Sequence, residues 1–290
     1  MILDGKAVNE KIAEDLKKEI ALRSKSSQGR RPKLVIIQVG DLAESNAYIA
    51  RKIKFGEKVG VVVDHQRFPN SITQEKLQTT IYKLNTDLMV HGIITQMPFP
   101  KHLDKDAIIE SIDPKKDVDG LSSTNLKHLW ENDGLGYIPA TTKGVITLLD
   151  YYKIPVTGKH VVVVGRSFLV GKPTMLAFLN RDATVTVAHS KSQNLVEITK
   201  SADILVAAVG KPNLITKNHV HKNQVVVDVG ITAVEPESGS DPVRKLIGDV
   251  KFAEVSKIVK AISPVPGGAG PMTVASLFQN LFEAYQRQKA

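Results

Sequence analysis

Apolar residues recur every four positions at Val8, Ile12, Leu16 and Ile20, the stripe of an amphipathic helix over residues 8–23. A polar stretch at 24–31 breaks it. Residues 32–39 then read as a strand ending at Gly40-Asp41, 45–59 as a helix closed by Gly60, and 61–63 as the next strand. A helix over 73–85 leads to a strand over 90–95, followed by Gln96-Met97-Pro98-Phe99-Pro100, where the prolines stop the strand. The order β-α-β-α-β predicts a parallel sheet with right-handed crossovers. Residues 113–142, rich in Pro, Asp, Asn and Gly, read as loop with one short helix at 125–130, and a helical stripe over 142–152 carries the chain into a second domain.

The second domain opens on Val161-Val162-Val163-Val164, too apolar for a one-sided strand and therefore expected at the centre of a parallel sheet covered on both faces. Further strands are expected at 184–188, 204–208, 225–229, 245–247 and 259–262, with short helices between them and a last helix over 271–286. The predicted architecture is a two-domain α/β protein. An N-terminal α/β domain spans 1–141, with the C-terminal helix region (271–290) packing back on it, and a doubly wound domain spans 142–270.

Composition narrows the class. In 290 residues, 42% hydrophobic and 24% charged is normal for a globular enzyme, and the absence of cysteine removes disulfides, thiolate metal sites and a cysteine nucleophile together. No apolar run approaches the roughly 20 residues of a membrane span, and Met1-Ile2-Leu3-Asp4-Gly5-Lys6 does not read as a secretory signal, so the cytoplasm is the expected location. The formal charge of +9 raises nucleic acid as a partner, but the basic residues are spread along the chain and aromatics are only 5%. A polyanionic substrate and a phosphorylated cofactor explain the sign equally well.

The valine strand runs into Gly165-Arg166-Ser167 and then Val170-Gly171-Lys172-Pro173, a strand, a glycine turn and a helix start. Gly165 allows the sharp turn, and amides near the helix N-terminus are expected to face a phosphate. A P-loop does not fit, because five residues separate Gly165 from Gly171-Lys172 and Pro173 follows. The G-x-G-x-x-G fingerprint is also absent, since Ser167 replaces its second glycine. Arg166 beside the first glycine suits a ribose 2′-phosphate. His189-Ser190-Lys191, after the next strand, lacks the acidic residue that would hold a free 2′-hydroxyl, so two indications favour NADP.

In the N-terminal domain, Tyr48 and Lys52 stand one helical turn apart at the carboxyl end of a strand, where a tyrosine can stack on a flat heterocycle and a desolvated lysine can move protons. Gln96 either orients a lysine or carbonyl or simply caps its strand. In Asp117-Val118-Asp119-Gly120 one aspartate can accept hydrogen bonds from an amino-heterocycle, turn formation being the preferred reading for Asp117. His219 and His221 lack a third ligand, and no metal is expected. Pro264-Val265-Pro266-Gly267-Gly268-Ala269-Gly270-Pro271-Met272-Thr273 is rigid yet open to close approach, as a ligand-facing segment or an interdomain hinge.

Together these motifs, with Leu3-Asp4-Gly5-Lys6, Lys116-Asp117-Val118-Asp119-Gly120 and Asp228-Val229-Gly230, resemble the bifunctional methylenetetrahydrofolate dehydrogenase/methenyltetrahydrofolate cyclohydrolase (FolD) family from end to end. The resemblance implies a cleft between a folate domain and a Rossmann-type NADP domain. It implies that Lys52 is the central catalytic group, that Gln96 assists it, that Tyr48 stacks on the folate and that Asp119 anchors the pterin. It places Pro266, Gly267 and Gly268 at the substrate, and Gly165, Arg166, Ser167, Gly171, His189, Ser190, Gly210 and Ile231 at NADP. Tetrahydrofolate derivatives, with or without a polyglutamate tail, are the implied substrates and a homodimer the implied assembly. Four positions depart from the family pattern: Ala269 for valine, Thr142 for proline, Asn125-Leu126-Lys127 without the usual glycine, and Thr232 for asparagine. A dehydrogenase lacking the second activity and a non-catalytic NADP-binding sensor are the rival readings.

Overall fold

The computed structural model describes residues 1–26, 30–234 and 245–288, so part of the polar stretch at 24–31 and the last two residues of the expected 271–290 region lie outside the described residues. In chain order the elements are α1 (Gly5–Ser26), β1 (Lys33–Val39), α2 (Ala43–Val59), β2 (Val62–Phe68), α3 (Gln74–Thr86), β3 (Gly92–Gln96), α4 (Lys105–Glu110) and α5 (Ser123–Glu131). They continue with α6 (Ala140–Tyr151), β4 (His160–Val164), α7 (Gly171–Leu179), β5 (Thr184–Ala188), α8 (Leu195–Lys200), β6 (Ile204–Ala207) and β7 (Val225–Asp228). The last are β8 (Thr232–Val234), β9 (Lys245–Ile247), α9 (Phe252–Val255), β10 (Ala261–Ile262) and α10 (Ala269–Arg287). No described helix is long and apolar enough to cross a membrane. By internal packing the chain divides into two units, Glu10–Ala140 with Val274–Ala290, and Met1–Asn9 with Thr141–Thr273.

The first unit is built on a parallel sheet of order β2-β1-β3. Strand β1 sends alternate side chains to two cores, as a strand buried on both faces must. Leu34 and Ile36 join Leu16 and Ile20 of α1, Ile49 and Phe55 of α2, and Phe278 and Leu281 of α10. Val35 and Ile37 join Leu77 and Ile81 of α3 and Ile108 of α4. The last helix is fixed by more than area: the Tyr285 hydroxyl donates to the Arg30 carbonyl at 2.8 Å, and Asn280 donates to the carbonyls of Val118 and Ile138 at 3.0 and 2.9 Å. Helix α2 ends as its sequence predicts, with Gly60 at φ 85°. Helix α4 lies between the elements read from the sequence. It is capped by the Asp104 side chain, which accepts from the amides of Asp106 and Ala107.

The second unit carries a five-stranded parallel sheet of order β10-β7-β6-β4-β5, with the four-valine strand at its interior. The chain runs from β4 to β5 on one side and then to β6 on the other, so the order reverses between β4 and β6. The first residues extend this sheet: the Leu3 amide donates to the Ile262 carbonyl at 2.8 Å and the Ile262 amide to the Met1 carbonyl at 3.1 Å. Met1–Asn9 therefore belongs with this unit, whereas the sequence reading ran one domain unbroken over 1–141. Strands β8 and β9 pair antiparallel outside the main sheet, with Thr232 opposite Ile247.

Candidate active site

Lys52 and Gln96 meet in the first unit. Lys52 projects from α2 and Gln96 ends β3, and the Lys52 Nζ donates to Gln96 Oε1 at 3.0 Å. The glutamine is itself oriented, because its Nε2 donates to the Met97 carbonyl at 3.1 Å. Of the two roles left open for Gln96, the geometry is that of a group that orients the lysine. Burial pushes the Lys52 ammonium below the usual lysine range, while the negative charge of Asp119 pulls it back up. Burial likewise raises the Asp119 carboxyl, the Lys52 charge opposes this, and Asp117 adds to it. Tyr48, one turn before Lys52, is half-buried with the Arg51 guanidinium 5.5 Å from its ring centre. A lysine of lowered basicity, its acceptor, a carboxylate and an aromatic face are thus held on three elements of one unit.

The loop that carries Asp119 is fixed by its neighbour. Asp117 accepts from the amides of Gly120 (3.1 Å) and Ser122 (2.8 Å) and from Asn125 Nδ2 (2.9 Å). Asn125 Oδ1 accepts the Tyr137 amide at 3.1 Å, and the Ile93 amide reaches the Lys116 carbonyl at 2.7 Å. Lys116, buried, donates its ammonium to the carbonyls of Leu84 and Asp87 at 3.0 and 2.7 Å. Asp117 is a turn former, as read from the sequence, whereas the parts of Lys116 and Asn125 carried no sequence signal beyond their nearness to that turn.

In the second unit the expected dinucleotide residues collect at the carboxyl ends of adjacent strands. The Gly165 amide donates to the Ala188 carbonyl at 2.8 Å, which sets the Arg166 turn beside His189-Ser190-Lys191. Gly165 has φ 126°, and a Cβ there would lie 2.2 Å from the Ala208 carbonyl oxygen, so only glycine fits. A Cβ at Gly171 would lie 2.3 Å from the Gly165 carbonyl oxygen. Arg166, Ser190 and Lys191 are exposed, as side chains free to meet a phosphate must be. The helix start differs from expectation: the amides of Val170 and Gly171 turn to Ser167 Oγ at 3.3 and 3.2 Å, and that of Lys172 to the Ser167 carbonyl at 3.0 Å. Ser167 thus caps α7 with oxygens of the chain itself, and Arg166 and Lys191 stand exposed as the basic side chains nearby.

Gly210 follows β6 with φ 69°, and Ile231 follows Gly230 beyond β7. The Gly267 carbonyl accepts the Lys6 amide at 3.1 Å, and the Gly268 amide closes on the Pro264 carbonyl at 2.7 Å, so the Pro266-Gly267-Gly268 turn is locked to the start of α1. A Cβ on Gly5 would lie 1.9 Å from the Gly268 carbonyl oxygen. The departures from the family pattern are all accommodated. Thr142 is buried with its hydroxyl 3.1 Å from that of Thr174, Lys127 pairs with Glu131 at 3.6 Å, Ala269 is buried at the start of α10, and Thr232 donates to the Gly210 carbonyl at 3.4 Å.

Two family models match this chain. The tetrahydrofolate dehydrogenase/cyclohydrolase catalytic domain covers residues 3–119, and the tetrahydrofolate dehydrogenase/cyclohydrolase NAD(P)-binding domain covers 139–289. The chain is 45% identical over 289 residues to the bifunctional protein FolD of Acholeplasma laidlawii, covering 100% of this chain and 99% of that protein. The crystal structure of the Campylobacter jejuni bifunctional enzyme FolD superposes with a TM-score of 0.93 at 41% identity, covering 99% of each chain. A Trypanosoma brucei methylenetetrahydrofolate dehydrogenase-cyclohydrolase, solved with NADP and an inhibitor, gives 0.94 at 35% identity, covering 99% of this chain and 97% of that one.

Proposed function

This chain belongs to the tetrahydrofolate dehydrogenase/cyclohydrolase family, and from that premise we propose which of its residues carry the family's two reactions. It is a bifunctional enzyme of one-carbon metabolism. It oxidises 5,10-methylenetetrahydrofolate to the 5,10-methenyl cation with NADP, and it hydrolyses that cation to 10-formyltetrahydrofolate. The observation that carries our assignment is the Lys52–Gln96 contact with Asp119 beside it.

When bound, NADP accepts the hydride of the methylene carbon at its nicotinamide. Tyr48 offers a flat face for the pterin, and Asp119 accepts from its amino-heterocycle, which fixes the carbon to be oxidised. In the hydrolysis, Lys52 takes a proton from the attacking water and returns one to the departing ring nitrogen. Its pKa, lowered by burial, serves that exchange, because a less basic amine gives up its proton more readily. Gln96 holds the lysine Nζ in place through both transfers. In the other unit Gly165, Gly171, His189, Gly210 and Ile231 line NADP, Ser167 shapes the turn, and Arg166, Ser190 and Lys191 meet the 2′-phosphate. Pro266, Gly267 and Gly268 are assigned to the substrate. A homodimer in the cytoplasm completes the reading, and light scattering of the purified protein checks the assembly.

The test is to incubate the protein with methylenetetrahydrofolate and NADP while following NADPH and the methenyl product separately, with spontaneous hydrolysis as control. NADPH formation with little accumulated methenyl product is expected. Accumulating methenyl product would mean that the second step is lost. In Lys52→Met, cyclohydrolase activity should fall by about 10²- to 10⁴-fold, the usual weight of a general acid–base group. Undiminished activity would remove Lys52 from the mechanism.

A further inference from the structure

Two buried carboxylates in the second unit take no part in the chemistry described above. Asp249, with 0% of its surface exposed, accepts from three consecutive amides, those of Val209 (2.6 Å), Gly210 (3.1 Å) and Lys211 (2.7 Å). Asp228, 3% exposed, accepts from the amides of Gly230 (3.1 Å), Asp249 (3.0 Å) and Val250 (2.9 Å). The two side chains thereby join three loops: the one after β6, the one after β7 and the one between β9 and α9. Space is cleared for both. A Cβ on Gly230 would lie 2.1 Å from the Asp249 carboxyl carbon, and a Cβ on Gly248 2.0 Å from Asp228 Oδ2.

The place of this clamp in the sheet gives it a function. Residues 208–211 leave the carboxyl end of β6, beside β4, at the point where the strand order reverses and where open parallel sheets bind their ligands. The contact is close, because the Gly165 Cα already faces the Ala208 carbonyl oxygen too tightly for any side chain. Three amides that converge on one carboxylate fix both the path and the facing of the Gly210 loop. The Thr232 hydroxyl holds the same loop from its other side through the Gly210 carbonyl, at 3.4 Å. A buried carboxylate with three amide donors is satisfied only in this one loop conformation, so any other conformation leaves a charge or several amides unpaired.

We propose that Asp249, seated on Asp228, is a positioning residue for NADP: it preorganises the Val209-Gly210-Lys211 loop as part of the dinucleotide site. The inference rests on the reading above that this unit binds NADP. It predicts an effect confined to the dinucleotide, because the hydrolysis of the methenyl cation consumes no NADP.

The experiment compares wild type and Asp249→Asn by NADP titration in a calorimeter, by dehydrogenase kinetics, and by cyclohydrolase assay on methenyltetrahydrofolate without NADP. Asparagine keeps the shape but offers an N–H to at least one amide that needs an acceptor. The expected result is a tenfold or greater rise in the NADP Kd and KM, with cyclohydrolase kcat/KM within about twofold of wild type. Unchanged NADP affinity in folded Asp249→Asn, or a parallel loss of both activities, would overturn the proposal. Should this variant fail to fold, Thr232→Val decides the matter: a rise of several-fold in the NADP Kd alone supports the loop assignment, and no change refutes it. Wild-type protein that does not bind NADP would instead sink the functional reading itself.

Discussion

Replacing Gln96 by glutamate puts a negative charge where a neutral oxygen now accepts from Lys52 Nζ at 3.0 Å. Coulomb's law at that distance, with an effective dielectric constant of about 20, gives about 5 kcal/mol of added attraction for the ammonium form. A third of this surviving desolvation of the new carboxylate would still move the protonation equilibrium of Lys52 by tenfold or more, since about 1.4 kcal/mol is a factor of ten. Wild-type Lys52 is held below the usual lysine range by burial, so the change runs the other way and favours the charged form. The assay is cyclohydrolase kcat/KM against pH, corrected for spontaneous hydrolysis, whose acid limb reports the base of the free enzyme. In Gln96→Glu the limb should move to higher pH, with at least a tenfold loss at neutrality that is recovered on the alkaline side. Gln96→Leu, which removes the acceptor without adding charge, should lose rate without that alkaline displacement. The variant also loses the Nε2 donor to the Met97 carbonyl, at a cost of about 1–3 kcal/mol in stability, so a thermal melt must accompany the kinetics. A natively folded Gln96→Glu whose limb stays at the wild-type pH would refute the claim that the Lys52–Gln96 contact sets the protonation of the base.

Two further outcomes follow from the second unit. Arg166→Ala should weaken NADP by about tenfold or more while leaving NAD nearly unaffected, as loss of a charge-assisted contact to phosphate predicts, and equal losses for both cofactors would remove the 2′-phosphate assignment. Asp228 makes stability depend on pH. Burial pushes its carboxyl up to about 7, against the amides of Val250, Asp249 and Gly230 that hold it down. With the folded value above the unfolded one, its contribution is fully present below the ordinary carboxyl range and is lost as pH rises through about 7. The stability of wild type relative to Asp228→Asn should therefore fall by about 1.4 kcal/mol per pH unit between pH 5 and 7, and level off above. Denaturant melts that give a pH-independent difference would contradict this.

The fold was legible where the apolar pattern is long or extreme. The four-residue stripe of α1, the valine run of β4 and the Gly60 stop of α2 each dictate one structure with no help from distant residues. It was not legible where an element owes its existence to a partner. Helix α4 has six residues and stands on an aspartate cap and a core contact through Ile108, and the three-residue β8 is a strand only because it pairs with β9, whose own range the sequence had indicated. Met1–Asn9 joins the second unit through hydrogen bonds to Ile262 and Gly267, which no local pattern announces.

The candidate site divides along the same line, and the division sorts its carboxylates. Spacing puts Tyr48 and Lys52 on one face of a helix and the prolines put Gln96 at the end of its strand, while the roles expected of them come from the family resemblance. Asp117 and Asp119 cannot be separated by spacing alone, nor can Asp249 be singled out. What separates them is how each meets the cost of burying a charge, several kcal/mol unless hydrogen bonds or an opposite charge offset it. Asp117 and Asp249 meet it with backbone amides and hold turns, and the glycines pressed against Asp249 and Asp228, Gly230 and Gly248, were the only trace of this in the sequence. For Asp119 the opposing influence is the charge of Lys52, the group we propose as the base. A carboxylate ringed by amide donors has its oxygens already committed to the backbone, whereas one offset by a lysine is tied to that lysine's charge. On our reading that physical difference assigns Asp119 to the chemistry, Asp117 to the turn that carries Asp119, and Asp249 to the dinucleotide loop of the other unit.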